Sequence, residues 1–268
     1  MYPILFEIFG IPISSYGVSK ALAALAAFVL LAREFRRLRW DPDVAGTLVM
    51  ATTIVGFLGG KLYYLAEHLG SLTIHDFGTS GFTWYGGFLA GLVTFVVVAR
   101  RHRLPLPELA AVSVAPLSVA YGIGRLGCLL AGDGTYGPPS DLPWAMAFPN
   151  GTMPTTVPVH PTPLYEAVAA FAVAGLLWTV RRRWRPSAVI GTYALLTGGA
   201  RFLIEFVRVN DEAVLGLTQP QLWSLVLVLA GAVLLALPVW RPAYGQGGRA
   251  DGRSQPTPRR PTISVRRS

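Results

Sequence analysis

The sequence predicts an all-α polytopic membrane protein of seven transmembrane helices, with the amino terminus outside and the carboxyl terminus cytoplasmic. Three observations carry this reading. The 268 residues are 52% hydrophobic and only 14% charged, with a mean hydropathy of +0.47, too apolar for an ordinary soluble domain of this length. The apolar residues fall into seven stretches of roughly 17 to 23 residues, the length that crosses a bilayer core. The lysines and arginines then gather in alternate loops, as they do where loops face the cytoplasm.

In order, the first stretch lies near 16–32 and runs into Arg33, Arg36, Arg37 and Arg39. The second, near 44–66, leads into the loop 67–81, which has no lysine or arginine. The third, near 82–99, ends on Arg100, Arg101 and Arg103. The fourth, near 108–126, opens into the loop 127–163, again without a basic residue. The fifth, near 164–180, is followed by Arg181, Arg182, Arg183 and Arg185; the sixth and seventh lie near 188–206 and 220–240. Most of the 23 basic residues therefore share one face, and the amino terminus is expected on the other. The first stretch lacks a basic leader and a small-residue cleavage site, so it is expected to remain in the protein.

The division that follows is a membrane domain over 1–240, whose loop 127–163 forms an outer head region, and a tail over 241–268. The tail is rich in Gly, Pro, Ser and Arg and is expected to be a disordered, basic, cytoplasmic segment. The net charge of +9 is mostly a topology signal that favours membrane lipid. Split among short juxtamembrane loops, it gives no continuous nucleic-acid surface. Cys128 is the single cysteine, which excludes an internal disulfide, and no cluster has metal-ligand spacing; neither a metal nor a cofactor is expected.

Five basic residues fall elsewhere, inside a predicted span or at its outer end: Lys20, Lys61, Arg125, Arg201 and Arg208. A charge there costs a few kcal/mol on insertion scales, about 2.5 to 3.5 at a helix centre, and is typically paired and functional. Glu205 lies four residues after Arg201 and three before Arg208, so the three share one helical face. Glu166 enters the fifth span and Glu67 leaves the second. Positive charge exceeds negative toward the outer half, which points to an anionic group such as phosphate, since arginine offers phosphate paired donors. The competing structural reading of the trio is an ion-pair network that fixes helix packing; Arg125 and Lys61 tilt the balance toward a site. Lys20 is weaker evidence, because a lysine near a span's end can snorkel to the interface.

The stretch "GRLGCLLAGDGTYGPPSDLPWAMAFPNG" resembles the signature region of the bacterial prolipoprotein diacylglyceryl transferase family. Six further segments agree in order: "SSYGVSKAL", "GFLGGKLYY", "FTWYGGFLAGL", "VHPTPLYEA", "GGARFLIEFVR" and "LTQPQLWSLVLVLAG", covering residues 10 to 235. The resemblance implies transfer of a diacylglyceryl group from phosphatidylglycerol to the lipobox cysteine thiol of a prolipoprotein, with release of glycerol phosphate, at a bacterial cytoplasmic (inner) membrane. Its implied partners are phosphatidylglycerol and prolipoprotein signal peptides. By motif position, Arg125 matches the signature arginine and Arg201 that of the sixth helix; both are implied to hold the headgroup or leaving phosphate, with Arg208 beside them. Tyr16, Asp133 and Gly137 match the first-helix tyrosine, the signature acid and its closing glycine, while Glu205 matches the acid that orients the arginines.

Three departures separate this chain from the family pattern. Tyr85 stands where the family has the histidine of His-Gly-Gly. A phenol titrates at about 10 against about 6.5 for imidazole, so Tyr85 suits a hydrogen bond to phosphate better than abstraction of a thiol proton. Lys61 stands for an arginine and loses its bidentate geometry. Cys128 replaces an asparagine; a small buried apolar residue is the favoured reading over a nucleophile. His160, in the matched "HPTP", is a candidate replacement base, its alternative a helix-capping role. His68 and His75 share a short loop with Asp76, and His102 sits in a basic loop. The runner-up function is a diverged membrane protein that binds or modifies another anionic lipid without lipoprotein transfer. A small transporter would show an internal repeat and charges along the whole depth of the bundle, and the sequence shows neither.

Overall fold

A computed structural model describes residues 2–70, 72–77 and 81–236. Among the described residues seven α-helices make the body: α1 (Ser15–Leu38), α2 (Pro42–Glu67), α3 (Trp84–Arg101), α4 (Leu106–Ala131), α5 (Thr162–Val180), α6 (Pro186–Glu205) and α7 (Gln219–Ala236). Each covers one of the seven apolar stretches. Six of them are long and apolar enough to cross a membrane. The exception is α3, which spends its last two positions on Arg100 and Arg101 and opens on the amphipathic pair Trp84 and Tyr85. Six membrane-crossing helices, rather than the expected seven, are thus supported by length and composition.

The helix boundaries follow from local chemistry. The Ser14 side chain accepts from the Gly17 amide to start α1, and Asp41 accepts from Asp43 to start α2, whose first residue is Pro42. α4 stops at Gly132, whose φ of 59° completes a left-handed cap. At its other end α1 outruns the predicted stretch by more than a turn because Glu34, fully buried there, is an anchor. Its carboxylate accepts from Arg37 at 2.6 Å and, across the bundle, from Arg181 at 2.8 Å. That pins α1 to the end of α5.

The all-α expectation needs one amendment. Three two-stranded hairpins interrupt the helical pattern: β1 (Ile4–Ile8) with β2 (Ile11–Ser14), β3 (Met146–Phe148) with β4 (Thr155–Val159), and β5 (Glu212–Val214) with β6 (Leu217–Thr218). All three sit at the helix ends away from the arginine-rich turns. A two-stranded hairpin is marginal alone, and these are tied down by neighbours. The Tyr2 amide donates to the Leu130 carbonyl at 3.1 Å, so the first hairpin rests on the end of α4.

Helix packing is close where small residues meet. Gly127 of α4 faces Ser19 of α1 with no room for a side chain between them, and Gly59 of α2 faces Gly86 and Ala90 of α3 in the same way. The apolar core lies toward the arginine-rich end, where Leu31, Phe35, Leu48, Ala99 and Leu109 pack together. Leu22, Leu25, Leu58, Leu62 and Leu89 point outward and are exposed, as expected of lipid-facing positions. Residues 237–240 of the seventh predicted span and the tail 241–268 lie outside the described residues.

A candidate anion site between three helices

At the hairpin end, α4, α5 and α6 bring buried charges together. Glu166, in the second turn of α5, is 3% exposed and stands at the centre. Its Oε2 accepts from the Tyr121 hydroxyl at 3.0 Å and pairs with Arg125 Nε, both from α4. Its Oε1 lies 3.3 Å from Arg201 Nη1 of α6 and 3.3 Å from Arg208 Nη1 just beyond that helix. Glu205, buried at the end of α6, is the second carboxylate. Its Oε2 is 2.5 Å from Arg201 Nη1 and 3.7 Å from Arg208 Nε, while its Oε1 accepts from Thr218 at 2.8 Å and Asn210 at 2.6 Å.

Three guanidinium groups thus share two carboxylates, and the cluster keeps a surplus positive charge. Arg125 hydrogen bonds through Nε, to the Tyr121 hydroxyl at 3.0 Å. Arg201 pairs with both carboxylates through its buried Nη1. The side chains of Arg125 and Arg201 remain 20% and 22% exposed, so the cluster is open to a ligand. Burial pulls the Arg208 guanidinium below its ordinary range, and Glu166 opposes that shift. A surplus of partly buried cations around two carboxylates suits an anion.

The remaining sequence candidates divide by location. Gly137 has no room for a side chain against the Val207 carbonyl, and its amide donates to the His160 carbonyl at 2.8 Å. It packs the 132–161 loop onto the residue before Arg208. His160 Nδ1 lies 3.3 Å from the Tyr165 hydroxyl, which accepts from Trp144 Nε1 at 2.8 Å. The Asp133 carboxylate accepts from its own turn, from the Thr135 hydroxyl at 2.6 Å and amide at 3.2 Å.

Tyr16, Lys61 and Tyr85 sit away from these arginine contacts. Lys20 Nζ lies 4.8 Å over the Tyr16 ring in α1, and Lys61 Nζ 5.2 Å over the Phe82 ring. Tyr85, in the first turn of α3, touches Trp84 and the Trp223 ring of α7. Cys128 is buried in α4.

Glu166 and Tyr121 are the site residues that motif reading left out. Glu166 was visible as a lone acid in a span; that it serves three arginines was not, because they lie 41 residues before it and 35 and 42 after it along the chain. Asn210 and Thr218 carried no signal at all.

Comparison with known proteins bears on what this site does. A model of the family described as prolipoprotein diacylglyceryl transferase matches residues 3–237. Among curated relatives, phosphatidylglycerol–prolipoprotein diacylglyceryl transferase of Clostridium tetani is 31% identical over 239 residues, covering 86% of this chain and 95% of that protein. The protein of the same name in Pseudomonas putida KT2440 is 33% identical over 250 residues, covering 87% and 92%. That of Geobacter sulfurreducens is 33% identical over 253 residues, covering 88% and 94%.

Proposed function

Since this chain belongs to the prolipoprotein diacylglyceryl transferase family, we propose that the arginine cluster of α4, α5 and α6 is where it carries out that family's reaction. It is a multi-pass membrane enzyme that moves a diacylglyceryl group from phosphatidylglycerol to the cysteine thiol of a prolipoprotein and releases glycerol phosphate. One observation carries the placement: three arginines around two buried carboxylates, with a net charge of about plus one.

That surplus matches the single negative charge of a phosphodiester. The acceptor sulfur attacks the glyceryl carbon beside the phosphate, the carbon–oxygen bond breaks, and its electron pair leaves on the phosphate. Charge on phosphate grows as the bond breaks, so fixed cations hold the transition state more tightly than the ground state. Arg125, whose contacts run through Nε, and Arg201, whose ion pairs run through Nη1, are the two that meet the phosphate, through the remaining nitrogens of their partly exposed side chains. Glu166, Glu205 and Tyr121 hold them in place; Arg208 adds positive field. Tyr16, Lys61, Tyr85, Asp133, Gly137 and His160 shape the substrate clefts around them, with Tyr85 as a hydrogen-bond donor. The arginine-rich turns belong to the cytoplasmic face, which puts the cluster and the hairpins at the outer face of an inner membrane with α3 as a seventh, shorter span. The 1–240 domain and a basic cytoplasmic tail over 241–268 complete this arrangement.

The test incubates the purified protein in phosphatidylglycerol liposomes with a labelled lipobox peptide and reads the diacylglyceryl thioether by mass. Wild type is expected to form it, and Arg125→Ala to lose at least about a hundredfold, the usual loss for an oxyanion-stabilising donor. Tyr85→Phe is expected to stay active within a few fold. Lipid binding that depends on Arg125 with no thioether from wild type would leave the diverged-lipid reading instead.

A further inference from the structure

A second polar feature lies on the other flank of α4. A groove of about 380 Å³ runs between α1, α2 and α3, lined by Lys20, Thr53, Gly56, Thr83, Trp84 and Phe88. Its aromatic rim is exposed: Trp84 and Phe88 keep 67% and 56% of their surface. Among the described residues Lys20 is the one charged residue lining it, partly buried in the second turn of α1. Its ammonium packs over the Tyr16 ring, and among the described residues no carboxylate pairs with it. Arg125 and Arg208, by contrast, are both paired. Tyr16 on its own helix and Cys128 from α4 are the titratable groups that face this ammonium, and with no paired carboxylate it can take an anion beside it.

The groove adjoins the arginine cluster through two consecutive residues of α4. A Cβ added at Gly124 would lie 3.9 Å from Lys20 Nζ, while Arg125, the next residue, reaches across to Glu166. The reaction needs such a neighbour. It must bring a thiol to a carbon whose phosphate is held at Arg125, and the sulfur attacks as thiolate, a species favoured beside a cation. The imidazole of the family pattern is missing here, since Tyr85 occupies its place one residue from the groove wall at Trp84.

We propose that this groove is the acceptor site: it takes the apolar peptide segment that ends in the reacting cysteine, and Lys20 holds the thiolate. The inference rests on the transferase reading above. The thiol gives its proton to water; the sulfur lone pair then forms the bond to the glyceryl carbon as the carbon–oxygen bond breaks onto phosphate. The ammonium stays charged throughout.

The experiment measures initial rates of thioether formation by the full chain in vesicles of phosphatidylglycerol and phosphatidylcholine, across pH, with a synthetic apolar peptide bearing one cysteine. In Lys20→Met the alkaline rise in rate is expected to move up by about one pH unit, so that turnover near neutrality falls about tenfold and recovers at high pH. Lys20→Arg is expected to keep the wild-type profile. Thr53→Trp, which fills the groove, is expected to raise KM for the peptide several fold and leave KM for phosphatidylglycerol unchanged. An unshifted profile in Lys20→Met overturns the proposal, as does a raised KM for lipid instead of peptide, which would make the groove a second lipid site. Loss at every pH that arginine does not rescue marks a structural lysine and overturns it too. A wild type that makes no thioether overturns the transferase reading itself, a result that all the Lys20 comparisons leave distinct.

Discussion

Glu166 shows at the scale of one residue how the cluster is balanced. Removing its charge takes the carboxylate from Arg125 and leaves Arg201 and Arg208 with Glu205 alone, and breaking a buried pair by deleting one partner costs about 3 to 5 kcal/mol. Glu166→Gln is therefore expected to lower the thermal midpoint of the purified protein markedly and to reduce transfer at least tenfold; an unchanged melting curve would show that the pairs contribute no net stability. Asp76 offers a test by pH. The Thr73 amide and hydroxyl, both 2.7 Å away, and the Tyr64 hydroxyl at 3.0 Å hold its carboxyl at about 2, below the ordinary 3.8. Its contribution to loop order is thus complete above the ordinary value and lost as pH falls toward 2. Hydrogen exchange at the Thr73 amide should accelerate over that window in wild type and be fast at every pH in Asp76→Ala. The sequence disclosed the arginines of the site because a charge in an apolar run stands out on its own. It did not disclose that Glu166 joins them, since pairing across three helices depends on packing that no spacing rule reaches. Asp133, which its place in the signature singles out, accepts from the Thr135 hydroxyl and amide of its own turn.

Elements explain why the arginines hold their positions. α4 and α5 meet where Ser118 donates to the Ala170 carbonyl at 2.9 Å, and α6 reaches α5 where Arg201, and Arg208 just beyond that helix, pair with Glu166. The 132–161 loop closes the end of this trio through Gly137. Gly137→Ala is expected to push the Val207 backbone aside and displace Arg208, so that transfer falls more than tenfold while the melting midpoint drops only a few degrees. Equal activity would mean that the loop tolerates the shift. Gly59, packed against Gly86, carries a different expectation: Gly59→Leu separates α2 from α3, costs about 1 to 3 kcal/mol as overpacking, and lowers the melting midpoint. The helices themselves were legible, because each is a long apolar run bounded by polar or charged turns. The three hairpins were not. Each is only two to five residues per strand and is held by contacts with helix ends that the sequence does not announce. The overlong α1 escaped notice for the same reason, since Glu34 reads as a loop charge until Arg181, 147 residues away, pairs with it.

For the whole molecule, the arginine-rich turns at one end and the charge cluster at the other give it a polarity. His102 lies at the arginine-rich end and Thr73, in the loop between α2 and α3, at the opposite end, so single-cysteine variants report on sidedness. Because Cys128 is the only native cysteine and is buried, Thr73→Cys should react with a membrane-impermeant maleimide added to intact cells, and His102→Cys only after permeabilisation. The opposite pattern would reverse the orientation. The same polarity puts the apolar core toward the arginine-rich end and leaves the charge-cluster end held by ion pairs, hairpins and loop contacts. The measurement that bears most directly on the central claim counts both products at once in phosphatidylglycerol liposomes with a lipobox peptide, comparing wild type with Arg125→Ala and Arg201→Ala. The account predicts one glycerol phosphate released for each thioether formed by wild type, and neither product above background from either variant while both remain folded. Full turnover by the two folded variants would contradict it, because the phosphate would then be held elsewhere.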